Sequence, residues 1–220
     1  MSLTVKEKIK AILQLLREPK VLNSIISFRS FGYLLQTGWF NSFKQGKPFD
    51  KDNNPIPWFT YPAVEFLSER LNNEMNVFEF GSGNSTLFFA ERVNAITSVE
   101  HNKDWYDIIS NQSPENSKII FTKTELSKEY TKALEITNQR FDIIIVDGIY
   151  RNDCIKISLK YLSEAGIIIL DDAERNDYSE GIKFLQKNGF RQIDFSGIAP
   201  GIFFRKCTTI FYKDKNCLNI

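Results

Sequence analysis

The sequence predicts an α/β fold: a mostly parallel sheet of seven strands, the last two antiparallel, behind a helical N-terminal extension. Three observations predict it. From residue 61 onward, apolar runs of strand length alternate with stretches of helical periodicity. Two runs, 143–146 and 167–170, are apolar at every position, as central strands covered on both faces must be. The final two runs are joined by a short segment without helical pattern, so they pair antiparallel.

Each element follows from local pattern. Residues 4–17 place Val5, Ile9, Ile12, Leu13 and Leu16 on one helix face, and Pro19 just beyond fits a stop. Residues 21–45 are apolar and aromatic but irregular. Three prolines and several Asp and Asn residues make 47–57 a connecting loop, and the boundary of the main domain is drawn there. The expected units are an extension over 1–57 and a main domain over 58–220. Helices are then predicted over 61–72, 85–92, 103–110, 126–138, 152–162 and 178–188. Strands are predicted over 77–80, 95–100, 118–121, 141–147, 166–171, 190–195 and 208–212.

Composition narrows the function. The 220 residues carry 28 Lys+Arg and 27 Asp+Glu, a net charge of +1, which gives no global reason to expect nucleic-acid binding. With one histidine, His101, a zinc site of two or more histidines cannot form within the chain. Cys154, Cys207 and Cys217 are odd in number and lack CxxC spacing, which points to reduced thiols in a cytoplasmic protein. The first apolar stretch is broken by Gln14 and Arg17 and makes a poor signal peptide. No run reaches the ~18 apolar residues of a membrane span. Charge is uneven: residues 1–50 hold eight basic and three acidic side chains, so they carry +5 and the remainder −4. A basic segment of this kind could meet an anionic substrate or membrane surface, support homo-oligomerisation, or be a solvated helix face.

In a parallel sheet the ligand crevice lies at the C-terminal strand ends. Glu79-Phe80-Gly81-Ser82-Gly83-Asn84-Ser85-Thr86 lies at the first such end, where small residues let the backbone turn sharply and approach a ligand. Glu100, about 20 residues on, can accept both hydroxyls of a ribose. This stretch resembles motif I of class I S-adenosylmethionine-dependent methyltransferases, [D/E]xGxGxG, with Ser85 in place of the last glycine. The terminal strand pair also resembles that family's, whose fold is Rossmann-like. The resemblance spans about residues 60–213 and leaves 1–57 unexplained. It implies S-adenosylmethionine as cofactor, bound by Glu79, Gly81, Ser82, Gly83, Ser85, Glu100, His101 and Asp147. Thr122 and Lys123 would border the adenine.

A second constellation joins Asp147-Gly148-Ile149-Tyr150-Arg151 to Asp171-Asp172. Three gathered carboxylates would raise one another's pKa values, and a divalent cation such as Mg²⁺ would relieve the repulsion. The pattern is similar to metal-dependent catechol-type O-methyltransferases, which implies Asp147, Asp171 and Asp172 as metal ligands. Without metal, Asp147 could act as general base and Asp171 and Asp172 could cap a helix. Asp147, Tyr150 and Asp171 are the candidate catalytic residues, and the expected acceptor is a hydroxyl of a small molecule or sugar. Two rivals stand beside this reading. One is an NAD(P)-dependent oxidoreductase, opposed by Thr86 where a dinucleotide fingerprint has glycine. The other is a non-catalytic nucleotide-binding module.

Overall fold

The computed structural model describes residues 4–123 and 126–220. The extension contains α1 (Val5–Leu16), α2 (Pro19–Ser27), α3 (Tyr33–Gln36) and α4 (Trp39–Gln45). Thr4 caps α1: its hydroxyl accepts from Glu7 N at 3.3 Å and Glu7 Oε2 accepts from Thr4 N at 2.8 Å. As expected, α1 stops just before Pro19, which also opens α2 at its first turn, a position where its missing N–H costs nothing. The irregular stretch 21–45 thus resolves into three short helices, whose length is too small for a clear 3.6-residue period.

The remaining elements are α5 (Tyr61–Ser68), β1 (Asn76–Phe80), α6 (Asn84–Ala90), β2 (Ala95–Glu100), α7 (Lys103–Ser110), β3 (Ser117–Phe121) and α8 (Ser127–Thr137), followed by β4 (Phe141–Val146), α9 (Arg151–Tyr161), β5 (Leu162–Leu170), α10 (Ser179–Lys187), β6 (Arg191–Gly197) and β7 (Lys206–Tyr212). They build one seven-stranded sheet in the order β3-β2-β1-β4-β5-β7-β6. All pairings are parallel except those of β7, which is antiparallel to β5 and β6. The expected α/β class, strand number and terminal antiparallel pair are observed.

Side-chain alternation divides the core into two layers. Val77, Ile143, Ile145, Ile167 and Ile169 face a cluster shared with Trp39, Phe59 and Leu67. Phe78, Phe80, Ile144, Val146 and Ile168 face the other, with Tyr130 from α8 and Cys154 and Ile155 from α9. Both faces of β4 are therefore covered, which is why its sequence shows no polar alternation. Strand β5 begins at Leu162, four residues before the expected start. Phe141 pairs with Leu162 and Ile143 with Ile167, so the polar Ser163-Glu164 stretch bulges where periodicity is lost. Among the described residues, no helix is long and apolar enough to cross a membrane.

Trp39 of the extension donates Nε1–H to Ile202 O at 3.1 Å in the β6–β7 link, and just past the extension Trp58 Nε1 donates to Pro200 O at 3.0 Å and Thr60 N to Thr208 Oγ1 at 3.0 Å. The order β1-β4 marks the point where strand succession reverses, and a crevice opens there.

Ile144→Ala removes a side chain with no solvent exposure and should destabilise the protein by about 3 kcal/mol in urea unfolding. Ile136→Ala, at a site 66% exposed, should change stability by less than about 0.5 kcal/mol.

Candidate functional site

The β1 and β4 ends meet backbone to backbone. Gly81 has φ +104°, a conformation that disfavours side chains, and a Cβ there would come within 3.3 Å of Gly148 N. A Cβ on Gly148 would in turn lie 2.2 Å from the Tyr130 hydroxyl. Beneath this turn sits Glu79, fully buried, whose carboxylate accepts from the hydroxyls of Ser85, Thr86 and Ser98. Burial pushes its pKa up to about 7, even though the three hydroxyls pull the other way. Ser85 replaces a motif glycine with a hydroxyl that braces Glu79. Thr86 holds both Glu79 and Gly83 N, the latter at 3.0 Å.

At the β2 end, Glu100 Oε1 accepts from the backbone N–H groups of His101 and Asn102, both at 2.8 Å. Its Oε2 accepts from Ser82 Oγ at 2.9 Å. Trp105 on α7 pins the turn from the other side, with Nε1 donating to Ser82 O at 2.6 Å. A cavity of about 540 Å³ opens here, bordered by Glu79, Gly81, Glu100, His101, Ile108 and Asp147, among others. A second cavity, of about 410 Å³, includes Trp58, Gly83, Asp171, Asp172, Ile202 and Lys206 in its walls. Ser82, Ser85, Trp105 and Asp147 line both.

The acidic cluster is neutralised by cations of the chain itself. Lys206 Nζ lies 2.6 Å from Asp171 Oδ2, 2.8 Å from Asp172 Oδ1 and 3.1 Å from Trp58 O. Thr208 Oγ1 donates to Asp171 Oδ1 at 2.8 Å. Arg151 donates to Asp147 Oδ1 at 3.0 Å and to the main-chain oxygens of Asp147, Gly148 and Asp171. Arg175 contacts Asp172 Oδ2 at 2.6 Å. Burial raises the pKa values of Asp147 and Asp171, opposed by Arg151 at the first and Lys206 at the second. Burial works against the Lys206 ammonium too, yet Asp171 and Asp172 outweigh it and raise its pKa.

This donor set corrects the metal expectation. Asp147, Asp171 and Asp172 do not fit a divalent cation, because Lys206, Arg151 and Arg175 already supply three positive charges to three carboxylates. Among the described residues, no group of three His, Cys, Asp or Glu side chains is arranged to hold a metal ion. The repulsion inferred from the sequence is real, but the countercharge comes from the chain itself, locally from Arg151 and Arg175 and from the remote Lys206.

The other expected site residues fall into three groups. Ser82, Gly83, Ser85, Glu100, His101 and Asp147 line the paired cavities, as do Glu79 and Gly81. Tyr150 sits before α9 with φ +54°, 38% exposed and edge-on to Tyr130, and is not a wall of either cavity. Thr122 and Lys123 follow β3 and also lie outside the linings. Sequence reasoning missed Trp105 and Lys206. A lysine opening the otherwise uncharged run Cys207–Tyr212 was the available signal for Lys206.

Solved structures share this fold. They include precorrin-6y C5,15-methyltransferase from Geobacter metallireducens, 14% identical over 69% of this chain and 86% of that one, TM-score 0.54. An rRNA methylase from Streptococcus thermophilus is 16% identical over 70% and 95%, TM-score 0.52. Precorrin 8w decarboxylase from Methanobacterium thermoautotrophicum is 17% identical over 69% and 87%, TM-score 0.51. At these identities the likeness is one of fold. No protein-family model matches the chain, and no curated protein sequence matches it.

Glu79 gives this site a pH signature. A carboxyl raised from 4.5 to about 7 holds its proton more tightly when folded, so its contribution to stability falls as pH climbs through that window. The loss amounts to about 3 kcal/mol at most. Because Asp147 and Asp171 shift in the same direction, the diagnostic is a difference. Urea unfolding from about pH 5 to about pH 8 should show the wild type losing stability relative to Glu79→Gln.

Proposed function

We propose that the chain is an S-adenosylmethionine-dependent methyltransferase acting on a hydroxyl of a small molecule or sugar. The observation that carries this is the meeting of two cavities at Asp147, Ser82, Ser85 and Trp105. One is walled by the glycine turn and Glu100, the other by Trp58, Asp171 and Lys206. Two ligands can thus be held side by side, which is the main requirement of a direct group transfer. In this reading residues 58–220 form the catalytic domain and 1–57 an extension that contributes Pro48 to the wall of the second cavity.

The cofactor, when bound, supplies a methyl group made electrophilic by its sulfonium. Glu100 would accept the ribose hydroxyls, exchanging its bond from Ser82 for one from the ligand. The Gly81 turn lets main chain rather than side chain approach the donor. The cofactor would give its methyl to the acceptor oxygen and leave as a neutral thioether, so the hydroxyl proton would have to pass to a residue of the chain. Asp147 is the base: it faces both cavities, and burial raises its pKa toward that of a useful proton acceptor. Both oxygens of Asp171 are engaged by Lys206 and Thr208, so it acts as a fixed wall that orients the acceptor. Tyr150, which lines neither cavity, takes no role in this reading. Indole faces and carboxylates suit the CH faces and hydroxyls of a sugar.

Calorimetry should show S-adenosylmethionine and S-adenosylhomocysteine binding and NAD failing to bind. Glu100→Gln should weaken cofactor binding roughly 10–100-fold. No binding of either sulfur compound would overturn the proposal. With an acceptor found from a panel of sugars and phenols, Asp147→Asn should lower kcat about 100-fold while cofactor binding persists. EDTA should leave turnover unchanged.

A further inference from the structure

The N-terminal helices carry an apolar surface that the fold does not use. On α1, Val5, Ile9, Ile12, Leu13 and Leu16 are all more than half exposed, from 54% at Ile9 to 73% at Val5. Among the described residues of that helix, only Ala11 and Leu15 are partly covered, and none is buried. At 100° per residue the five exposed side chains form one stripe about 100° wide. Lys6, Lys10 and Arg17 border it on one side and Lys8 on the other. Glu7 lies on the opposite face, engaged with Thr4. The surface continues along α2 through Val21, Ile25 and Ile26, also exposed. Beside it, Phe28, Trp39, Phe43 and Phe203 line an apolar groove of about 460 Å³, with Arg29 and Lys44 in its walls. Thirteen of the twenty exposed large apolar side chains among the described residues lie within 5–43, so the patch is a local feature and not ordinary surface scatter.

We propose that residues 4–45 dock the protein on an anionic phospholipid bilayer, with α1 lying in the headgroup plane. Its apolar stripe would enter the acyl boundary and its flanking lysines would meet lipid phosphates. A 12-residue helix, about 18 Å long, is too short to span the hydrocarbon and suited to lying along it. Charge selects the bilayer over a second copy of the chain. Residues 4–47 carry eight basic and two acidic side chains, so two such faces would repel, whereas anionic lipid attracts each lysine near the surface. Adjacent residues Ile202 and Phe203 line the Asp171 cavity and the apolar groove respectively, so docking would bring that cavity's mouth toward the membrane plane. The docking stands independently of the methyl-transfer reading.

Vesicle flotation of the full chain tests it. The protein should float with phosphatidylcholine vesicles containing about 30% phosphatidylglycerol, roughly tenfold more than with phosphatidylcholine alone. Salt at about 0.5 M should release it. The double variant Ile9→Glu/Leu13→Glu should lose flotation while keeping its far-UV circular dichroism and urea midpoint, since both side chains are exposed. Lys6→Glu/Lys10→Glu should lose the preference for anionic lipid. Three outcomes would overturn the proposal. One is no flotation with either vesicle; another is equal flotation with both. The third is a dimer in sedimentation velocity that the Ile9→Glu/Leu13→Glu variant dissolves, without vesicle binding.

Discussion

The Lys206 ammonium joins three segments of the chain, its own strand and two others. Its ammonium reaches Asp171 and Asp172 at the end of β5 and the main-chain oxygen of Trp58 ahead of α5, while its own backbone begins β7. Taking a lysine and two aspartates out of water is costly and is offset only where each charge meets a partner at hydrogen-bonding distance. That condition is met here. Arg151 does the same for the β4 end, tying Asp147 and Gly148 to Asp171 through four hydrogen bonds, three of them to main-chain oxygens. The crevice depends on these two cations. Without them, the β4 and β5 ends would present three mutually repelling carboxylates.

Five acidic groups at this edge of the sheet are held in three distinct ways. Glu79 meets only hydroxyls and is driven toward its neutral form by burial. Glu100 meets backbone amides and one serine, a set of donors that ligand hydroxyls can replace. The three aspartates meet cations. Environment, not residue type, therefore separates a brace beneath the glycine turn, a ligand acceptor and a charged wall. Asp147 alone of the aspartates faces both cavities, which is the basis for assigning it the proton.

Local pattern was informative where one physical cause dominated. Ile143–Val146 and Ile167–Leu170 read as central strands because nothing but double-sided burial makes such runs. The short link before β7 forced antiparallel pairing. Gly81 and Glu100 were visible because a tight turn and a strand-end acid constrain residue type at fixed spacing. Elsewhere competing causes blurred the pattern. Short helices in 19–45 lack enough turns for a period, and β5 begins at Leu162 because a bulge interrupts its alternation. The metal reading of Asp147, Asp171 and Asp172 was a sound inference from local charge. Lys206 lies 34 residues beyond Asp172 in the numbering, and no local rule pairs them.

By itself, then, the sequence determined the sheet, its strand directions and the strand ends at which polar groups would gather. Those properties follow from periodicity and turn chemistry, which act over a few residues. Beyond the local pairs Asp147–Arg151 and Asp172–Arg175, tertiary structure decided which charges meet. It brought Lys206 to Asp171 and Asp172, Arg151 to Asp172, Trp105 to the Ser82 turn, and Ser85 to Glu79. It also left the α1 stripe uncovered. The reason is that pairing and exposure depend on which faces a folded chain apposes, and apposition is a property of the whole sheet rather than of any window along it.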